Sequence, residues 1–252
     1  MHPILQRQAL FYRVIVVEQI DKQSFNRAAL LNIGILEAQK LGSPTCFVFH
    51  DVDLLAEDDR NIYECVKGAA RAMSVAASKW KYKLQYQEYC GGVMAIDLYD
   101  IKKFNGLANS FYGWGGEDDD LYHRLKSSNT SIIRKPANIA RYLMLQHDSA
   151  VESPELKSVM EMSSKDKLMN EGLNNIEYKI KDVHETPLYT LIQAELPGPR
   201  KVFKVEQKSF FTRFSEQVGN TIQKTVQKIM APSQEGGHYT GDSSWDSSKQ
   251  TL

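Results

Sequence analysis

The run Gly113-Trp114-Gly115-Gly116-Glu117-Asp118-Asp119-Asp120 constrains this chain more than any other stretch. Its glycines allow backbone angles that side chains forbid, so the segment can turn sharply around its tryptophan. Four carboxylates follow directly, and they repel one another. Leu121 and Leu125, four residues apart among polar neighbours, predict a short helix beginning near Glu117. Acids in a first helical turn are favoured by the helix dipole. The block reads as a flexible lead-in, an aromatic lid at Trp114 and a helix start that presents acids. A solvated acidic helix start beside a packed tryptophan is the other reading open from these residues, because charge runs commonly form hydrated faces.

Upstream, residues 45–50 (Thr-Cys-Phe-Val-Phe-His) are apolar and rich in β-formers, which predicts a buried strand. The strand runs into Asp51-Val52-Asp53. Ligands of open α/β sheets sit beyond the carboxyl ends of strands. An Asp-x-Asp placed there can offer carboxylate oxygen to a divalent cation such as magnesium or manganese, and through it to a diphosphate. Aspartate at a strand-to-loop turn also serves its own backbone, so the motif alone leaves both readings standing.

The remaining residues frame these two stretches. At 252 residues the chain has room for one large domain or two small ones. Its 31 basic and 31 acidic residues balance, so it carries no electrostatic footprint for nucleic acid. No apolar stretch approaches the roughly 18 to 20 residues that span a bilayer, and Met1 opens no signal peptide. Residues 12–18 predict a β-branched strand. Ser24 is positioned to cap a helix over 25–41 that Gly42 closes, with Ala29, Leu30, Ile33 and Leu36 as its core face. Phe25 and Arg27 stand at that helix start, where free N–H groups favour phosphate; ordinary packing is the alternative. Strands are predicted over 93–96 and 177–183. The three cysteines form no zinc pattern, and Cys90 reads as a small buried hydrophobe. Asn129-Thr130-Ser131 is a glycosylation sequon in a polar turn. Beyond residue 200, Phe211, Phe214, Val218, Ile222, Val226 and Ile229 recur at helical spacing, an amphipathic helix within 201–230 that packs on the domain or lies on a membrane or partner. Residues 231–252 read as a disordered tail.

Taken together, Phe25-Asn26-Arg27, Asp51-Val52-Asp53 and the block from Tyr112 to Asp120 resemble the β-1,4-galactosyltransferase family, over residues from His2 to about Pro197. Tyr112 stands where that family usually has tryptophan. The resemblance implies an α/β, glycosyltransferase A-type fold with a mixed central sheet. It implies a catalytic domain over 1–200 that is truncated at its N-terminus, since the family carries a first strand, a stem and a membrane anchor ahead of the present Met1. Full-length relatives of this kind are single-pass type II proteins of the Golgi lumen. The implied activity is inverting transfer of galactose from UDP-galactose to the 4-hydroxyl of a terminal N-acetylglucosamine or related sugar, on a glycoprotein or glycolipid, with Mn(II) as cofactor. Transfer of N-acetylgalactosamine or glucose, or nucleotide-sugar binding without turnover, are the alternatives.

The resemblance also assigns residues. Asp53, Met144 and His147 would hold the metal, and Cys46 and Cys65 would form a disulfide bracketing the Asp51-Val52-Asp53 loop. Asp118 would be the general base, with Glu117 and Asp119 beside it orienting the acceptor. Phe25, Arg27, Asp51, Val52, Asp53, Lys79, Tyr89, Gly92 and Trp114 would contact the donor. Tyr86, Tyr89, Trp114, Asp118 and Asp119 would contact the acceptor. A tyrosine at position 89 implies a galactose donor, because the phenol fills the space that an N-acetyl group needs. Residues 147–172 are shorter than the family's closing loop, and Ser158 and Glu161 stand where apolar residues are expected, which leaves the acceptor open.

Overall fold

The computed structural model describes residues 1–147 and 170–199. The chain divides into two units, Met1–Lys201 and Val202–Leu252; the second, with the expected amphipathic helix and tail, lies outside the described residues, as do Ser158 and Glu161.

Among the described residues, ten strands and four helices follow one another in the order α1 (His2–Arg7), β1 (Ile15–Gln19), α2 (Arg27–Leu41), β2 (Cys46–His50), β3 (Leu54–Ala56), β4 (Ala69–Ala72), β5 (Ala76–Ala77), β6 (Val93–Asp97), α3 (Leu98–Lys103), α4 (Glu117–Ser127), β7 (Ser131–Ile133), β8 (Arg141–Met144), β9 (Lys179–Glu185) and β10 (Thr190–Glu195). A 3-10 turn at Ser78–Trp80 follows β5. The strands form three sheets, ordered β1-β10-β9, β2-β6-β4-β7 and β3-β8-β5, and each mixes parallel with antiparallel pairing. The α/β class and mixed pairing match the sequence reading; the pairing is divided among three sheets instead of gathered into one.

The two inner strands of the four-stranded sheet, β6 and β4, are buried on both faces. Along β6, Met94 and Ile96 point toward α2, α3 and α4, where they meet Ala28, Ile35, Ile101, Phe104, Leu121 and Leu125. Val93 and Ala95 point the other way, toward Leu54, Met73 and Tyr142. Side chains alternate across a strand, so an unbroken apolar run is what a two-faced burial requires.

Helix α2 is likewise wrapped. Ala29, Leu30 and Ile33 pack on Ala194, Leu196 and Tyr112, while Ala28 and Ile35 face the central sheet. The sequence reading found the first face and not the second. Its cap also differs. Asn26, not Ser24, precedes the first turn, and its carboxamide oxygen accepts from the Ala29 N–H at 2.9 Å. The same side chain is fully buried and donates to the Asn109 carbonyl at 2.7 Å, a tertiary contact that Ser24 is too short and too distant to make. The strand expected over 12–18 is Ile15–Gln19, and that over 177–183 is Lys179–Glu185.

Candidate active site

The carboxyl end of β2 and the start of α4 face each other across Arg27. Asp51 follows β2, and its Oδ1 lies 2.6 Å from Arg27 Nη2 and 2.7 Å from Nε. Arg27 Nη1 reaches Asp118 Oδ1 at 3.2 Å and Glu117 Oε1 at 3.9 Å. One guanidinium therefore gathers three carboxylates from two distant stretches. Burial would lower the Arg27 pKa, but the fields of Asp51, Asp118 and Glu117 outweigh it and raise it, so the side chain is a permanent cation here.

Asp118 responds in the opposite sense from an ordinary surface acid. Desolvation drives its pKa up, Arg27 pulls it down, and Glu117, Asp51 and Asp119 raise it further, for a net value of about 7. The carboxyl is thus poised to hold or release a proton near neutrality. Asp119 accepts from the Tyr86 hydroxyl at 3.0 Å. The fourth acid departs from its neighbours. Asp120 is buried and pairs with the fully buried Arg124 at 2.6 Å, one turn along α4. Arg124 also donates to the carbonyls of Gly106 and Glu171, so this pair belongs to the core of the domain and not to the cleft.

The glycine-rich lead-in turns as its composition requires. Gly113, Gly115 and Gly116 all hold positive φ, and Gly116 sits at the N-cap of α4. Trp114 is 62% exposed, whereas Phe111 and Tyr112 just before it are buried in the core. The Gly113 N–H donates to the Phe25 carbonyl at 2.8 Å, which ties this turn to the start of α2. Phe25 itself is exposed, as is Val52 at the tip of the turn after β2.

Aromatic rings line one wall. Tyr89 sits edge-on to Tyr86, with centroids 5.5 Å apart, and to Trp80 at 5.9 Å. A Cβ added to Gly91 would collide with Asp118 Oδ2 and fall 2.7 Å from the Tyr89 hydroxyl. Gly91 is therefore the gap in which Asp118 and Tyr89 meet. Gly92, at φ 71°, leaves room for Ser74, and its carbonyl accepts from the Asp51 N–H at 3.1 Å. Trp80 was absent from the expected contact set; an aromatic beside Lys79 was the available signal. Lys79 is exposed, and its described contact is with the Trp80 ring at 5.9 Å instead of with the carboxylates.

A second pair of groups meets beyond β2. Leu54 of β3 pairs with Met144 of β8, and the Asp53 carbonyl accepts from the Leu145 N–H at 2.8 Å. This register delivers His147 Nε2 to 3.2 Å from Asp53 Oδ2, with Met144 half-buried alongside. Among the described residues no three His, Cys, Asp or Glu side chains cluster as a cation site; Asp53 and His147 are the pair that could hold a metal, and Met144, paired with Leu54 next to Asp53, is the expected third ligand. The Asp53 carboxylate oxygen is a hard donor of the kind that manganese takes, and the His147 imidazole nitrogen is one that first-row divalent metals share. Cys46 and Cys65 form a disulfide across the loop between β2 and β4, and Cys90 is buried and free. Burial pushes the Cys90 thiol up to about 12, which keeps it protonated and inert.

Comparison with known proteins bears on this arrangement. A model described as the N-terminal region of glycosyl transferase group 7 matches residues 1–66, and one described as the N-terminal domain of galactosyltransferase matches residues 71–148, together more than half of the chain. The chain belongs to the β-1,4-galactosyltransferase family. Within it, the chain is 43% identical over 202 residues to β-1,4-galactosyltransferase 1 of Mus musculus, covering 79% of this chain and 50% of the relative. It is 40% identical over 201 residues to β-1,4-galactosyltransferase 1 of Homo sapiens, with the same coverage, and 37% identical over 206 residues to β-1,4-galactosyltransferase 3 of Bos taurus, covering 79% and 52%. The chain spans about half the length of the curated galactosyltransferases it matches. Among solved structures, the catalytic domain of Drosophila β-1,4-galactosyltransferase 7 in complex with xylobiose superposes with a TM-score of 0.59 at 26% identity, over 77% of this chain and 84% of that one. A mutant of the same Drosophila protein, in complex with manganese, UDP-Gal and xylobiose, superposes at 0.66 with 24% identity and the same coverage, a likeness of fold.

Proposed function

We propose that this chain carries the catalytic domain of a galactosyltransferase that moves galactose from UDP-galactose to the 4-hydroxyl of a terminal N-acetylglucosamine or related sugar, with inversion, dependent on Mn(II). The observation that carries the reading is Arg27 holding Asp51 and Asp118 together, beside the Asp53–His147 pair 3.2 Å apart. On this reading Arg27 and the Asp53–His147 pair handle the diphosphate, and Asp118 accepts the proton. The relatives supply the chemistry: 43% identity to a β-1,4-galactosyltransferase, and a fold shared with a protein solved with manganese and UDP-Gal.

The residues divide the work. Asp53, Met144 and His147 would hold the metal, which when bound supplies Lewis-acid stabilisation of the charge on departing UDP. Arg27, at the N-terminus of α2, adds a fixed cation for the diphosphate. Phe25, exposed at the same helix start, offers a face for the uracil. Asp118 takes the proton of the attacking acceptor hydroxyl, a task for which a pKa of about 7 suits it. Glu117 and Asp119 orient the other acceptor hydroxyls, and Asp119 is itself steadied by Tyr86. Trp114, exposed on a three-glycine turn, is placed to fold over the bound sugar. Tyr89, packed against Gly91 and Asp118, occupies the room that an N-acetyl group on the donor would need, which favours galactose. In its full-length form the protein would be anchored facing the Golgi lumen; among the described residues no helix is long and apolar enough to cross a membrane.

The test is UDP release from UDP-galactose with an N-acetylglucosamine glycoside, with and without Mn(II). Turnover that needs both metal and acceptor, and yields the β-1,4-linked product, supports the reading. Tight UDP binding without acceptor-dependent turnover would reduce the protein to a nucleotide-sugar binder.

A further inference from the structure

The last residue of β2, just before Asp51, is a histidine outside the assigned machinery. His50 Nδ1 lies 2.8 Å from the Asp51 carbonyl, and Nε2 lies 3.0 Å from the Tyr63 hydroxyl. The Tyr63 hydroxyl is 2.9 Å from that of Tyr142, and the Tyr142 oxygen is 3.5 Å from Asn61 Nδ2. The directions follow from the ends. A carbonyl can only accept, so His50 Nδ1 carries the hydrogen. Nε2 of the neutral ring must then accept, so Tyr63 donates to it. Tyr142 donates to Tyr63 in turn, and accepts from the Asn61 amide. Each hydroxyl serves once as donor and once as acceptor. Burial favours the neutral imidazole that this chain requires. Tyr142 is fully buried and Tyr63 nearly so, so no solvent competes for these bonds.

Two members of the chain, the Asp51 carbonyl and Tyr142, adjoin the proposed metal ligands. The Asp51 carbonyl also accepts from the Leu54 N–H at 3.3 Å, which closes the turn that carries Asp53. Tyr142 stands two residues before Met144 on β8, on the same side of the strand. The imidazole lies against both phenols, 5.9 Å from the Tyr63 ring and 6.1 Å from that of Tyr142. We propose that Tyr63 and Tyr142, acting through His50, are positioning residues for the cation site: they brace the Asp51–Leu54 turn against β8 and so fix where the Asp53 carboxylate points. This rests on the reading of Asp53 and His147 as metal ligands.

The experiment is a titration of the full chain with Mn(II), with and without UDP, following the free-ion paramagnetic resonance signal. Tyr63→Phe and Tyr142→Phe each weaken Mn(II) binding about fivefold, the scale of one buried hydrogen bond, while a cooperative melt is kept. The double variant is no worse than the poorer single one, because one chain is broken once. Excess Mn(II) restores kcat, which a damaged fold would not allow. Should either phenylalanine variant fail to fold, His50→Leu and His50→Gln take its place. Gln leaves an oxygen for Tyr63 to donate to and binds Mn(II) more tightly than Leu, and equal loss in both overturns the proposal. Tyrosine variants that bind Mn(II) within about twofold of the parent, when Asp53→Asn has lost it, also overturn the proposal and leave the metal reading intact. An Asp53→Asn protein that binds like the parent sinks the metal reading, and the positioning role with it.

Discussion

At the scale of single residues, Asp118 is held in a costly state. Its folded pKa of about 7 lies above the ordinary aspartate value, so between pH 4 and 7 the folded protein binds more protons than the unfolded chain. The stability associated with that proton is fully present at low pH and is lost as pH rises through 7. Asp118→Asn keeps the shape and removes the charge. It should melt at a higher temperature than the parent at pH 8, with the advantage fading toward pH 4. Its transfer rate should fall by about 100-fold or more while UDP still binds, because a positioned base is lost and the donor contacts are not. The parent's rate should rise with pH through a limb near 7, and this limb should vanish with the carboxylate. A calorimetric pH series beside a pH–rate profile checks both. Gly91→Ala tests the same carboxylate from outside. The nearest atoms to the new methyl group belong to the side chains of Asp118 and Tyr89 and not to backbone, so these two must shift to admit it, and the backbone angle there is not one reserved for glycine. The variant should fold normally and lose kcat; unchanged kinetics would mean that Asp118 is not where turnover needs it.

At the scale of elements, α2 carries Arg27 into the site and Phe25 stands just ahead of its cap, so its first turn has to be fixed. Asn26 does this with a cap bond to Ala29, a bond to Asn109 and an amide that donates to Gln19. Asn26→Ala should cost at least the ~1 kcal/mol typical of a lost cap, and more because buried partners are orphaned. Ser24→Ala should cost little. Denaturant midpoints of the two variants separate the alternatives. The sequence supported this helix well, since its apolar spacing and the closing Gly42 bound it within two residues. It could not choose between Ser24 and Asn26, which are both good caps. That choice was made by Asn109, 83 residues away. Likewise the four acids of α4 are equivalent on paper. The helix turns Asp120 inward because position 124, one turn on, is an arginine whose other donors are needed by carbonyls at 106 and 171.

At the scale of the whole molecule, the loop from β2 to β4 is closed by Cys46–Cys65, with a sequence separation of 19. A closure of that length stabilises by about 3 kcal/mol under the chain-entropy account. Replacing both cysteines by alanine should lower the unfolding free energy by roughly that amount. Because the closed loop contains Asp51 and Asp53, it should also raise the Mn(II) concentration needed for half-activity. Chemical denaturation and a metal titration check the two effects separately.

The parts of this protein that depend on short-range chemistry were fixed by the order of its residues. Glycines followed by acids favour a turn and a helix start, and an apolar β-branched run favours a buried strand. The resemblance in three short motifs was enough to place the chain in its family. What the order of residues did not determine is every relationship that crosses the chain: Arg27 between Asp51 and Asp118, Asp53 beside His147, His50 joined to Tyr142 through Tyr63. Those contacts exist because strands far apart in sequence pair in one register, and register is set by burial of the faces, which only the assembled core can specify.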